Sequence, residues 1–151
     1  MRIRADEAIP PWTLPRVTPE RMRTMAALLR DPNPVHWDRD AVAALPLGLG
    51  RRTINQGPLG LSYIINMLHE WAGAGSIRRL TMRFPQVVLD GDKVTARGTV
   101  LAIDGESDAR LTTCQVWLEH ADRGILLEGE AIIATPEDSV HGPGLAREHA
   151  T

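Results

Sequence analysis

The stretch from Pro58 to Ala72, PLGLSYIINMLHEWA, constrains the fold of this chain more than any other. Leu59, Leu61, Tyr63, Ile64, Ile65, Met67, Leu68 and Trp71 cover most of a helical circumference rather than one stripe. A helix of that kind is buried on more than one side. Pro58 suits its first turn, and Gly73 stands just past its end. The sequence behind it changes period. SIRRLTMRFPQVV, KVTARGTVLAI, ARLTTCQVWLEH and ILLEGEAIIAT read as strands, separated by turn signals at Asp90-Gly91-Asp92, DGES and ADRG. Such turns between alternating segments suit antiparallel hairpins. One buried helix ahead of about four long strands predicts an α+β domain, an antiparallel sheet curved around a long central helix. The proline-rich WTLPRV (Trp12 to Val17) can add a fifth strand at an edge. This is the hot-dog arrangement, and a small sheet with free edges predicts a dimer.

Ahead of the long helix, Met22, Met25, Ala26 and Leu29 recur at helical spacing and predict a short amphipathic helix over Glu20 to Arg30. Thr18 can cap it, Pro19 suits its first turn, and Pro32 and Pro34 stop it. Asp38 can cap a second short helix running through Leu45. At 151 residues the chain predicts a single domain over residues 1–135, followed by a polar tail, 136–151, expected to be disordered. The formal net charge of −2 carries no nucleic-acid footprint. No apolar run approaches the roughly 20 residues of a membrane helix, and the first residues have no apolar leader core, so a cytoplasmic location is expected. The single cysteine, Cys114, excludes an internal disulfide and reads as a buried strand residue.

The chemistry concentrates in DPNPVHWD, Asp31 to Asp38. A carboxylate and an imidazole fixed near one another can share a water, one taking its proton while the other orients it. Pro32 and Pro34 lock two φ angles, and Asn33 can bridge backbone groups across the turn. From composition alone, turn residues and a loop histidine describe the same stretch. Asp38 and Asp40 beside His36 could suggest a metal site, but capping by Asp38 is the stronger reading.

Asp31-Pro32-Asn33-Pro34-Val35-His36 matches the pattern D-x-N-P-aliphatic-H, and here the chain resembles the MaoC-like family of (R)-specific enoyl-CoA hydratases, the hydratase 2 proteins. Gln56-Gly57-Pro58-Leu59 stands where that family has a His-Gly-aliphatic turn opening the central helix, and MRFPQVVLDGDKVTARGTV is similar to its arginine-phenylalanine strand, Gly-Asp and following strand. The likeness runs over roughly residues 12 to 135. It implies a hot-dog fold and reversible syn addition of water across the 2,3 double bond of an enoyl thioester, with no cofactor or metal. Carried over, Asp31 and His36 are the catalytic pair, Gly57 is the oxyanion donor and Asn33 supports the loop. Gln56, Tyr63 and Arg83 are candidate substrate contacts. The substrate would be an acyl-CoA or acyl-carrier-protein thioester, and the partner a second copy or a related hot-dog chain. The chain departs from the family at Gln56, where many relatives have histidine, and at Leu29-Arg30, where small residues are usual.

Alternatives remain. A hot-dog thioesterase uses a carboxylate on the helix, which Glu70 could supply, and a non-catalytic hot-dog chain could bind acyl thioesters beside an active partner. Arg51, Arg52, Arg78, Arg79 and Arg83 could meet coenzyme A phosphates. Trp37, Trp71 and Tyr63 read first as packing residues, though Tyr63 could also line an acyl tunnel beside the helix.

Overall fold

The computed structural model describes residues 3–105 and 110–135; the segment expected to form a disordered tail lies outside the described residues. Five strands form one sheet: β1 (Ala8–Leu14), β2 (Ile77–Arg83), β3 (Val94–Asp104), β4 (Arg110–His120) and β5 (Gly124–Thr135). Their order across the sheet is β1-β3-β4-β5-β2, and every neighbouring pair is antiparallel. Three helices precede β2: α1 (Pro19–Leu29), α2 (Arg39–Ala43) and α3 (Gly57–Ala72).

Helix α3 touches all five strands, so the sheet curves around it as the helix-then-strands pattern predicts. Its buried residues are Leu59, Gly60, Tyr63, Ile64, Met67 and Leu68, recurring at alternating one- and three-residue steps. Leu61, Ile65 and Trp71 are only half covered. The burial is therefore one broad stripe against the sheet, narrower than the expected burial on several sides. Facing that stripe, Val94, Ala96 and Val100 on β3 and Cys114, Val116 and Leu118 on β4 point inward at every second residue. Met22 anchors α1 to the same core.

The strand segments fall close to their expected bounds, and their connections hold one difference. β4 and β5 form the expected hairpin across Ala121–Arg123, with His120 opposite Gly124. The Asp90-Gly91 turn does not close a hairpin. β2 pairs with β5, and the chain leaves the sheet after Arg83. Pro85 has no N–H for a ladder, and the segment behind it crosses the end of α3, where Leu89 bridges to Ile54. β1 also starts earlier than expected. It lies at the sheet edge and carries Pro10 and Pro11 within its register shift between Ile9 and Trp12, where missing donors do least harm. Thr18 stands at the start of α1 without a side-chain capping bond, whereas Asp38 Oδ1 accepts the N–H groups of Asp40 and Ala41 and caps α2.

The β2–β5 contact is closest at Gly129. A Cβ there would collide with the backbone of Thr81 and Met82 and with the Met82 sulfur. Gly129→Ala is predicted to lower stability by roughly 3 kcal/mol through overpacking. A shift of the urea midpoint within a few tenths of a molar of the parent would contradict that close approach.

Candidate active site

The DPNPVHWD segment is a rigid corner. α1 ends at Leu29, and Arg30 caps it in the left-handed region at φ 52°. A non-glycine residue there carries strain of roughly 1–2 kcal/mol, where the resembled family has small residues. Asp31 N–H returns to Ala26 O at 2.9 Å. Asp31 Oδ1 accepts Asn33 N–H at 3.0 Å, and Asn33 Oδ1 accepts Val35 N–H at 3.3 Å, opening the single 3₁₀ turn Pro34–His36.

This corner leaves the other Asp31 oxygen, Oδ2, free for His36, whose Nε2 lies 3.3 Å away. The His36 side chain is 12% exposed and that of Asp31 31%, so solvent reaches the pair without surrounding it. The far ring nitrogen, Nδ1, lies 2.6 Å from Ile54 O. A carbonyl only accepts, so Nδ1 must carry a proton. The neutral ring would then turn the Nε2 lone pair toward a carboxylate, two acceptors face to face. The pair is satisfied when a single proton lies between them, on either partner.

His36 also lines a cavity of about 240 Å³ together with Asn55, Gly57, Phe84, Val88 and Leu127. Gly57 is the first residue of α3, where an N–H has no acceptor within the helix and the helix end is partially positive. Its φ is not positive, and a Cβ there would meet only the Phe84 ring, at 3.5 Å. Neither backbone conformation nor packing requires glycine at this position. The structure thus brings His36 and Gly57 to one cavity, with Asp31 beside His36.

The other sequence candidates sit differently. Gln56 lines the cavity but is fully buried; its Nε2 donates to Met22 O at 2.9 Å and its Oε1 has no partner among the described residues. Tyr63 is 1% exposed, a core residue stacked on Trp12 with ring centroids 5.9 Å apart. Arg83 is exposed on β2 and pairs with Glu128 at 2.9 Å, away from this cavity. Glu70 accepts Trp12 Nε1 at 3.0 Å near the opposite end of α3. Asp40 pairs with Arg51, and Asp38 caps α2. Trp37 is exposed rather than packed.

Sequence reading missed the cluster that fixes this end of the molecule. Asp92, with a fully buried side chain, binds the Arg52 guanidinium on Oδ1 and the Arg123 guanidinium on Oδ2. It also accepts Leu89 N–H at 2.8 Å. Arg52 Nε donates to Asp90 O at 2.8 Å, and Arg123 Nη1 to Val87 O at 2.9 Å. The segment leading to Ile54, the crossover and the β4–β5 turn are thereby clamped to one carboxylate. The only sequence signal was the Gly91-Asp92 turn.

Comparison with known proteins bears on this geometry. The family described as MaoC like domain matches residues 11–117. The chain belongs to the MaoC-like family. Among solved structures, the MaoC-like chain superimposes on R-hydratase PhaJ1 from Pseudomonas aeruginosa with a TM-score of 0.78 at 22% identity, covering 90% of this chain and 84% of that one. The (R)-hydratase from A. caviae involved in PHA biosynthesis gives 0.77 at 24% identity, covering 89% and 98%. The ChsH1–ChsH2 complex from Mycobacterium tuberculosis gives 0.74 at 20% identity, covering 89% and 99%. No curated protein matches the sequence. At these identities the structural likeness establishes the hot-dog fold, and family membership rests on the sequence match. Among the described residues no helix is long and apolar enough to cross a membrane.

Removing the Asp92 carboxylate would leave two clustered guanidinium groups without their shared partner. Asp92→Ala is predicted to destabilise the MaoC-like domain by roughly 1.5–3 kcal/mol, the worth of hydrogen bonds to a charged group, read as a fall in the thermal midpoint. An unchanged midpoint would mean that the clamp does not hold this end together.

Proposed function

We propose that this chain is a hydro-lyase that adds water reversibly across the 2,3 double bond of an enoyl thioester. One observation carries the reading: a carboxylate–imidazole pair, with His36 Nδ1 held on Ile54 O, stands beside a cavity that the first residue of a buried helix also lines.

The starting state has Asp31 ionised and His36 protonated on Nε2. A water donating to Asp31 Oδ2 gives up that proton as its oxygen bonds to C3 of the substrate. The π electrons move toward C2 and the thioester carbonyl, where negative charge collects on oxygen. Gly57 N–H, at the helix N-terminus, donates to that oxygen. His36 then delivers its Nε2 proton to C2 on the face from which the water attacked, which makes the addition syn. The proton held by Asp31 passes across the 3.3 Å gap to His36 and restores the starting state. Every step reverses for dehydration of a 3-hydroxyacyl thioester.

The carrier in this reading is coenzyme A or an acyl carrier protein, in a cytoplasmic setting. The partner is a second copy of this chain or a related hot-dog chain, and the two-protein ChsH1–ChsH2 neighbour favours keeping the latter. Glu70 accepts Trp12 Nε1 near the end of α3 opposite Gly57, which favours the hydratase reading over a thioesterase.

Purified protein should remove the ultraviolet absorbance of a 2-enoyl-CoA and form the 3-hydroxyacyl-CoA. Asp31→Asn and His36→Ala should each lower kcat by about 10²–10⁴-fold, the usual worth of a general acid or base, with unchanged circular dichroism. Full activity in both variants would remove the pair from the mechanism.

No free thiol should appear during turnover. Cys114 will not obscure that measurement: it is fully buried, and burial pushes its thiol up to about 11. It should react with a thiol reagent only after denaturation. Labelling of the native protein would contradict its burial, and stoichiometric thiol release from substrate would identify a thioesterase instead.

A further inference from the structure

Gly57 N–H and the Gln56 carbonyl are the two ends of one planar peptide group, pointing in opposite directions. The carbonyl end is doubly bonded. Gln56 O accepts Gly60 N–H at 3.0 Å, the first bond of α3, and also Asn55 Nδ2 at 2.9 Å. Because a carbonyl only accepts, the Asn55 amide must turn its nitrogen to Gln56 O and its oxygen the other way. On that other side the Tyr63 hydroxyl donates to Asn55 Oδ1 at 3.1 Å. Asn55 is 6% exposed and Tyr63 1% exposed, so water does not compete for these bonds.

We propose that Asn55 and Tyr63 are positioning residues that orient and polarise the Gln56–Gly57 peptide so that Gly57 N–H becomes a stronger donor toward the thioester oxygen. The assignment rests on the hydratase reading above. Hydrogen bonds in a chain reinforce one another in a low-dielectric interior. Donation to the Gln56 carbonyl draws electron density out of the peptide and leaves the N–H at its far end more acidic. Tyr63 sets the direction of the chain. Burial pushes its hydroxyl up to about 12, so it remains a donor through the neutral range. Its ring is held against Trp12 at an interplanar angle of 16°, and Asn55 N–H is fixed on Val88 O at 2.8 Å. The relay therefore has little freedom to turn away from Gln56.

Two substitutions test the relay. Asn55→Asp keeps the size and the Tyr63 partner but sets an oxygen against Gln56 O. Tyr63→Phe removes one hydroxyl and keeps the ring on Trp12, so it carries the test if Asn55→Asp fails to fold. For Asn55→Asp we expect kcat to fall about tenfold with KM within a factor of about three, less than the roughly 10²–10³-fold that follows loss of a whole oxyanion donor. Tyr63→Phe should move kcat the same way by a smaller factor. The second readout needs no turnover. The infrared carbonyl stretch of a bound saturated acyl-CoA should lie below its solution value in the parent protein and return toward it in both variants. A purely structural asparagine–tyrosine pair would change the melting temperature but not that frequency. Folded variants with parental kcat and parental carbonyl frequency would overturn the relay. A parent protein that shifts the carbonyl but adds no water would instead overturn the hydratase reading.

Discussion

Burial of α3 against all five strands is the constraint on which the rest of the structure depends. Leu59, Tyr63, Ile64, Met67 and Leu68 each contribute about 1.5–3 kcal/mol by leaving water, and together they give the helix one seat in the sheet. A helix held in this way turns its N-terminus into a fixed point. The orphan N–H groups of its first turn must face some direction, and the core decides which one. The approach to that point is held as firmly, because Arg52 lies two residues ahead of Ile54 and is tied to the buried Asp92.

Four consecutive residues convert that fixed point into a site. Ile54 O holds His36 Nδ1, Asn55 bridges Tyr63 and Gln56 O, Gln56 Nε2 holds Met22 O, and Gly57 lines the cavity. The Met22 bond matters because Met22 belongs to α1, whose end carries Asp31. Both ends of the acid–imidazole corner are therefore referenced to the segment that starts α3, one through a side chain and one through a backbone carbonyl. In the proposed chemistry, the groups that move the proton and the group that receives the charge share one frame.

What the sequence made legible was local. The strands announced themselves through alternation and turn residues, and the Asp31-to-His36 spacing through the prolines that make it rigid. What it hid was held by distant partners. The Asp90-Gly91 turn has the local form of a hairpin, yet Pro85 had already taken the chain out of the sheet and β2 pairs with β5, more than forty residues on. Asp92 looks like a turn residue until Arg52 and Arg123 arrive from elsewhere in the chain. Tyr63 read first as a packing residue, and the register of the helix against the sheet does bury it. What the sequence hid is the partner of its hydroxyl, an asparagine eight residues away.

The strain at Arg30 belongs to the same account. Gly-like backbone geometry at φ 52° turns the chain sharply enough for Asp31 to follow α1 directly, with its N–H returned to Ala26 O. A relaxed Arg30 would carry Asp31 off along a different direction, and Oδ2 would no longer stand 3.3 Å from His36. Pro32 and Pro34 oppose that relaxation because neither can change φ. Strain of roughly 1–2 kcal/mol is small beside the burial that seats α3, so the core can hold the corner in place. Asp31 and His36 are thereby held close enough for a proton to pass between them, which the proposed return to the starting state requires.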